Sequence, residues 1–352
     1  MVLPGAGDGK TRFPPSFIRL IMLCISSVSF SFMLSGKQFG SLIPERGLRQ
    51  GDPLFPYLFL LCTESFSSLL QLAKREGRIQ GVSVCRAAPP ISHLLFADDT
   101  LIFCRACLES TQAVLDILEV YRKASGREIN FAKSSVAFSK NTREDLCSSI
   151  MTTLTIRREN KMELYLGLPS KVARSKKELF STIRDRIWKK ISGWNAKLLS
   201  QAGMEVLIKA VLQAIPTYAM GCFRLPVTLL REIQSMISNF WWSSGGQHKI
   251  HWVAWPRLCE SKLAGCMGFR QLRLFNLAML AKQLWRIWRF PNKLLSRVLR
   301  ARYFPSGDIL TAALRTRPSF TWRSLIAAQY LFRAGCRWRV GLGLQIRVWK
   351  DP

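Results

Sequence analysis

Ile91-Ser92-His93-Leu94-Leu95-Phe96-Ala97-Asp98-Asp99-Thr100-Leu101-Ile102-Phe103-Cys104 places two adjacent acids between two short apolar runs. Runs rich in Leu, Ile and Phe on either side of an acid pair predict two buried strands joined by a tight turn, with Asp98 and Asp99 at or near its tip. A bare carboxylate is costly to bury, so two of them on such a hairpin need a partner. A divalent cation is the natural one. Mg²⁺ prefers hard oxygen ligands and is usually held by one or two carboxylates plus substrate phosphates. Two such ions a few Å apart can clamp an in-line phosphoryl transfer. The same pair also suits a plain polar turn, where Asp is common.

Upstream, Phe17–Ile25 is apolar and reads as the end of a helix. Val28, Phe30 and Phe32 then alternate with Ser27, Ser29 and Ser31, the period of a strand with one buried face. Ser35-Gly36-Lys37 turns the chain, and Phe39–Ile43 returns as its partner. Gly47-Leu48-Arg49-Gln50-Gly51-Asp52-Pro53 leads into a long apolar helix, from about Pro53 to Glu76, that stops at Gly77. Asp52 suits its N-cap and Pro53 its first turn. A Gly-rich loop there lets a nucleotide or phosphate approach backbone N–H groups, and it is equally the plain start of a helix. Gly5-Ala6-Gly7-Asp8-Gly9-Lys10-Thr11 imitates a phosphate-binding loop, but Pro4 stands where the motif needs Gly and no strand precedes it.

Downstream, Leu108–Ala124 has helical spacing and Gly126 ends it. Gly126–Ser134 reads as a turn into a short strand carrying Lys133, and Tyr165-Leu166-Gly167-Leu168-Pro169 is another apolar turn. Helices are expected over Leu179–Trp194, Leu199–Ala214, Pro226–Trp242 and Leu272–Trp288.

Charge divides the 352-residue chain unevenly. Residues 1–150 hold 17 Lys and Arg against 13 Asp and Glu, whereas residues 151–352 hold 35 against 9 and contain all 11 Trp. The net +30 is therefore concentrated in an aromatic second half, which points to a polyanion partner. Lys and Arg there would follow phosphates and Trp could stack on bases, although for any single Trp helix-to-helix packing is the favoured role. Hydrophobic residues at 48% exclude global disorder. Neither Phe17–Leu34, which contains Arg19, nor Leu54–Leu72, which contains Glu64, is an uncharged membrane span. Ten scattered Cys without a secretory signal fit a reducing compartment. Cys104-Arg105-Ala106-Cys107 lacks a second pair of matching spacing, and a loose zinc site from His248, His251, Cys259 and Cys266 competes with ordinary buried thiols.

Four of these segments, in order, carry a resemblance: Gly47–Pro53, Phe96-Ala97-Asp98-Asp99, Ile129-Asn130-Phe131-Ala132-Lys133-Ser134 and Tyr165–Pro169. The series resembles the reverse transcriptases of non-LTR (LINE-type) retrotransposons, in their plant branch, and the likeness covers roughly residues 17 to 352. It implies an α+β fold to about residue 170, a partial polymerase palm with an antiparallel sheet backed by helices, after a disordered 1–15. A basic α-helical thumb and extension would occupy 171–352. It implies that Asp98 and Asp99 are catalytic and bind Mg²⁺, with Mn²⁺ as a substitute. Arg49, Gln50 and Gly51 would contact the incoming nucleotide and template, Lys133 the triphosphate, and Tyr165, Leu166 and Gly167 the primer end. The implied partners are an RNA template, a DNA primer and dNTPs, with no membrane, in the nucleus or cytoplasm. The family also places a third Asp on an upstream strand. The acid before Glu45 is Asp8, in a Gly-rich stretch, so the expectation is an impaired, truncated copy. Its flanking endonuclease, zinc-binding and RNase H-like segments would be missing too. The alternatives are an inactive nucleic-acid-binding fragment and a remnant with no function.

Overall fold

The computed structural model describes residues 13–44, 51–156, 164–169, 180–194, 199–243 and 250–337. The chain divides into two compact units, one of Met1–Val84 with Pro90–Lys161, the other of Cys85–Pro89 with Met162–Pro352. Among the described residues no helix is long and apolar enough to cross a membrane.

The first unit contains helix α1 (Pro15–Ser26), the hairpin β1 (Phe30–Leu34) and β2 (Lys37–Leu42), helix α2 (Phe55–Arg75), the hairpin β3 (His93–Phe96) and β4 (Asp99–Ile102), and helices α3 (Leu108–Ser125) and α4 (Glu144–Thr153). Its core lies between α2 and α3. Phe66, Leu70 and Ala73 meet Ala113, Val114, Ile117 and Tyr121, with Ile79 beneath and Leu95 and Ile102 of the second hairpin packed against them. Phe66 and Tyr121 stack at 4.6 Å. Each fully buried side chain of this kind stabilises by about 1.5–3 kcal/mol. Both helices end where the chain turns left-handed at glycine, Gly77 at φ +75° and Gly126 at φ +70°.

Several expectations are corrected here. The alternation at residues 27–32 does mark a strand, but β1 and β2 are exposed along their whole length, and α1 carries no buried residue. Alternation gives a strand two chemically different faces; burial also needs an element to lie on one of them. The second hairpin is half-buried rather than buried. Asp52 is not the N-cap of α2, which is Leu54. Asp52 instead folds back on the chain, its Oδ1 accepting the Leu54 N–H at 2.8 Å. No strand forms at Ile129–Ser134. Asn130 gathers the Lys133 and Ser134 N–H groups on its carbonyl at 3.1 and 3.0 Å, closing a turn. Among the described residues the strands make three separate two-stranded sheets.

Gly81 is fixed by a close approach. Val82 pairs with Ile91 in a bridge that delivers the chain to β3, and a Cβ on residue 81 would lie 2.7 Å from the Ile91 carbonyl oxygen. Gly81→Ala is expected to cost about 1–3 kcal/mol, since the obstacle is backbone. Urea denaturation checks it; an unchanged midpoint would show that the bridge is not needed.

The second unit opens with a two-residue-turn hairpin, β5 (Leu164–Tyr165) and β6 (Leu168–Pro169). Leu166 at φ +51° and Gly167 at φ +73° supply the left-handed turn that matches strand twist. Helices follow: α5 (Ser181–Gly193), α6 (Gln201–Leu207), α7 (Thr217–Cys222), α8 (Val227–Trp242), α9 (Trp255–Leu258), α10 (Leu272–Arg289), α11 (Leu294–Tyr303), α12 (Phe320–Ile326) and α13 (Gln329–Gly335). The helix expected over Leu199–Ala214 is α6 followed by a π-turn, Ile208–Leu212, closed by the Gln213 N–H on the Ile208 carbonyl. The wider turn leaves Ile208 and Leu212 both in the core. Buried Asn276 ties α10 to the end of α7: it accepts the Leu225 N–H and donates to the Met220 and Phe223 carbonyls, all at 2.9 Å.

Candidate functional site

The β3–β4 register pairs His93 with Ile102, Leu94 with Leu101, Leu95 with Thr100 and Phe96 with Asp99. The turn is therefore Ala97-Asp98, and Asp99 is the first residue of the returning strand. Ala97 sits at φ +47°, a left-handed position that favours glycine. Leu95 and Ile102 fasten one face of the hairpin to the α2–α3 core. Phe96 and Asp99 share the opposite face by register.

The Asp98 side chain is 87% exposed. Burial therefore does not force a counter-ion on the acid pair, contrary to the expectation from flanking apolar residues. Asp98 pairs instead with Arg127, whose Nη2 lies 3.3 Å from its Oδ1. Two exposed carboxylates on consecutive residues are hard oxygen donors open to solvent, the ligand type that Mg²⁺ prefers. Among the described residues no group of three or more acids, histidines and cysteines is assembled around them. Lys133 is exposed on its turn, and Gly51 adopts φ +90° ahead of α2. Arg49, Gln50 and His248 lie outside the described residues.

The other end of the hairpin is anchored by His93. Its Nε2 meets Ser67 Oγ of α2 at 2.9 Å and its Nδ1 meets Ser92 Oγ at 3.0 Å. Burial lowers its pKa from the ordinary 6.5, Lys74 lowers it further, and Glu64 opposes them. The unfolded chain thus takes up this proton more readily than the folded one. The stability from a neutral ring is complete above about pH 6.5 and is lost as pH falls below that value. Urea midpoints should decline from pH 7 to pH 5, less so in His93→Gln; equal slopes in the two proteins would contradict a neutral His93.

In the second unit, a cleft of about 1000 Å³ runs beside the β5–β6 turn. Gly167 and Leu168 meet it at one side, Arg186, Lys189 and Lys190 of α5 at another, and Tyr218 at a third. Among the described residues no carboxylate lines it. Trp188, next to these cations on α5, is 61% exposed. Trp241, Trp255 and Trp322 are core residues, whereas Trp252 and Trp285 are also exposed.

The Cys107 thiol lies 3.2 Å from Ser110 Oγ at the start of α3. His251 stacks on Trp242, and Cys266 approaches Glu260. Sequence reasoning missed Arg127. It sits one residue beyond the Gly126 helix stop, and its contact with Asp98 spans 29 residues, so no local pattern marks it.

Residues 10–169 match the reverse transcriptase (RNA-dependent DNA polymerase) family. The chain is 47% identical over 140 residues to an uncharacterized mitochondrial protein of Arabidopsis thaliana, 39% of this chain and 91% of that one. It is 33% identical over 189 residues to a putative ribonuclease H protein of Arabidopsis thaliana, 52% of this chain and 30% of that one. It is 24% identical over 245 residues to a transposon TX1 uncharacterized 149 kDa protein of Xenopus laevis, 69% of this chain and 18% of that one. The chain belongs to the reverse transcriptase family. The chain spans less than a third of the two longer relatives.

Proposed function

We propose that this chain carries the acid-pair hairpin and a nucleic-acid-holding helical region of an RNA-directed DNA polymerase. The observation that carries the reading is the placement of Asp98 and Asp99 at the exposed tip of a hairpin seated on α2 and α3. In the reaction a primer 3′-oxygen bonds to the α-phosphorus of a dNTP, the bond to pyrophosphate breaks, and the hydroxyl proton passes to solvent. Asp98 and Asp99 would hold Mg²⁺, or Mn²⁺, which supplies positive charge beside the reacting phosphates. Arg49, Gln50 and Gly51 would position the incoming nucleotide and the RNA template, and Lys133 the triphosphate. Residues 16–170 would form the partial palm and residues 171–352 the basic helical thumb and extension. Tyr165, Leu166 and Gly167 would hold the primer, next to the basic cleft of α5. A two-ion site takes a further carboxylate. Among the described residues no third acid joins Asp98 and Asp99, and we assign that ligand to another chain, without which this one is catalytically impaired. Action in the nucleus or cytoplasm belongs to the same proposal.

The basic cleft favours a second reading, a nucleic-acid-binding fragment without polymerase activity. Extension of a DNA primer on an RNA template in Mg²⁺, with binding of the same duplex followed against salt, separates the two. Templated incorporation supports the polymerase. Salt-sensitive binding without incorporation supports the fragment, because phosphate contacts release counterions. No binding at low salt contradicts both.

A further inference from the structure

Arg127 is held from three elements at once. Its Nη2 reaches Asp98 Oδ1 of the hairpin tip at 3.3 Å. Its guanidinium carbon lies 4.7 Å from the centre of the Phe59 ring on α2. Its Nη1 donates to the Tyr121 hydroxyl on α3 at 3.4 Å, and its backbone N–H donates to Ser125 Oγ at 3.2 Å. The left-handed Gly126 turns the chain off α3 immediately before it. The cation is thus seated on the rigid core, and its partner is the free end of the hairpin.

We propose that Arg127 is a positioning residue, a built-in counter-ion that holds Asp98 when no divalent cation is present and must release it when one loads. Arg127 thereby sets the cation affinity of the tip. The inference rests on the reading of Asp98 as a cation ligand. A guanidinium and a dication compete for one carboxylate oxygen set and repel each other across it. Because the pair is exposed, its effect is modest: a contact of this kind shifts a binding equilibrium by about two- to fivefold. Planarity matters as well as charge, since the ring of Phe59 takes a flat guanidinium better than an ammonium.

Mn²⁺ titration of the full chain, read by water-proton relaxation, tests this. Arg127→Gln removes the charge and keeps a polar, shorter side chain. It is expected to bind Mn²⁺ about two- to fivefold more tightly at low salt, with the gain shrinking at high salt. Arg127→Lys keeps the charge and should stay closer to wild type than Arg127→Gln. In the Asp98→Ala background, Arg127→Gln should change nothing. Phe59→Leu loosens the seat without touching the charge and should shift affinity the same way by less, which keeps the test open if Arg127→Gln does not fold. Unchanged or weaker Mn²⁺ binding in both Arg127→Gln and Phe59→Leu overturns the proposal. If Asp98→Ala alone then weakens binding, the cation-site reading still stands. No Mn²⁺ binding in any variant overturns both.

Discussion

Asp98→Ala is expected to slow RNA-templated primer extension by on the order of a thousandfold or more, with the fold and the affinity for primer–template duplex retained. The residue can bear this substitution structurally. Its side chain is 87% exposed and its ion pair with Arg127 is long, at 3.3 Å. Exposed pairs contribute little to stability. Chemically it cannot: removing a carboxylate from a phosphoryl-transfer site takes away charge where none can be substituted by water alone. Loss of extension with an unchanged urea midpoint is therefore the expected combination. Wild-type extension by Asp98→Ala would remove the acid pair from the chemistry. A rate loss matched by unfolding would reduce Asp98 to a structural residue.

Trp322→Ala is expected to destabilise the second unit by about 3–5 kcal/mol, enough to unfold it at ambient temperature or close to it. Trp322 is fully buried, and it lies parallel to Tyr303 at 4.4 Å and near Phe304 at 5.8 Å. Its indole N–H donates to the Ala313 carbonyl at 3.3 Å, and its backbone N–H is capped by Ser319 Oγ at 3.1 Å. Alanine keeps the cap and loses everything else, leaving a cavity between α11 and α12 and the Ala313 carbonyl without its indole donor. Far-UV circular dichroism against urea checks this; a loss below about 1 kcal/mol would mean that the region repacks, contrary to a rigid second core.

The hairpin and the helix ends were legible because each has a local physical cause. An acid pair between Leu-, Ile- and Phe-rich runs marks a turn between strands, and Gly77 and Gly126 stop helices because glycine takes the left-handed conformation cheaply. The preference for core packing over base stacking suits Trp241, Trp255 and Trp322, and fails for Trp188, Trp252 and Trp285. Other features depend on partners distant in sequence. Whether β1 and β2 bury a face is decided by what lies on them. The π-turn at Ile208–Leu212 answers to the fit of two core residues, and apolar spacing does not distinguish it from an α-helix. Asp52 chose its own backbone two residues on, a competition that Asp brings to any helix start. Arg127 became visible only when folding brought it to Asp98.

If the hairpin tip holds the catalytic cation, Fe²⁺ should occupy the same place, and with ascorbate and peroxide it cuts the backbone next to where it is bound. The measurement is the pattern of fragments from the full chain. Cuts at Ala97–Thr100 that Mg²⁺ suppresses and Asp98→Ala abolishes are the predicted result, and any second cut site would locate the further carboxylate. Cutting elsewhere with none at the tip would contradict the assignment of Asp98 and Asp99.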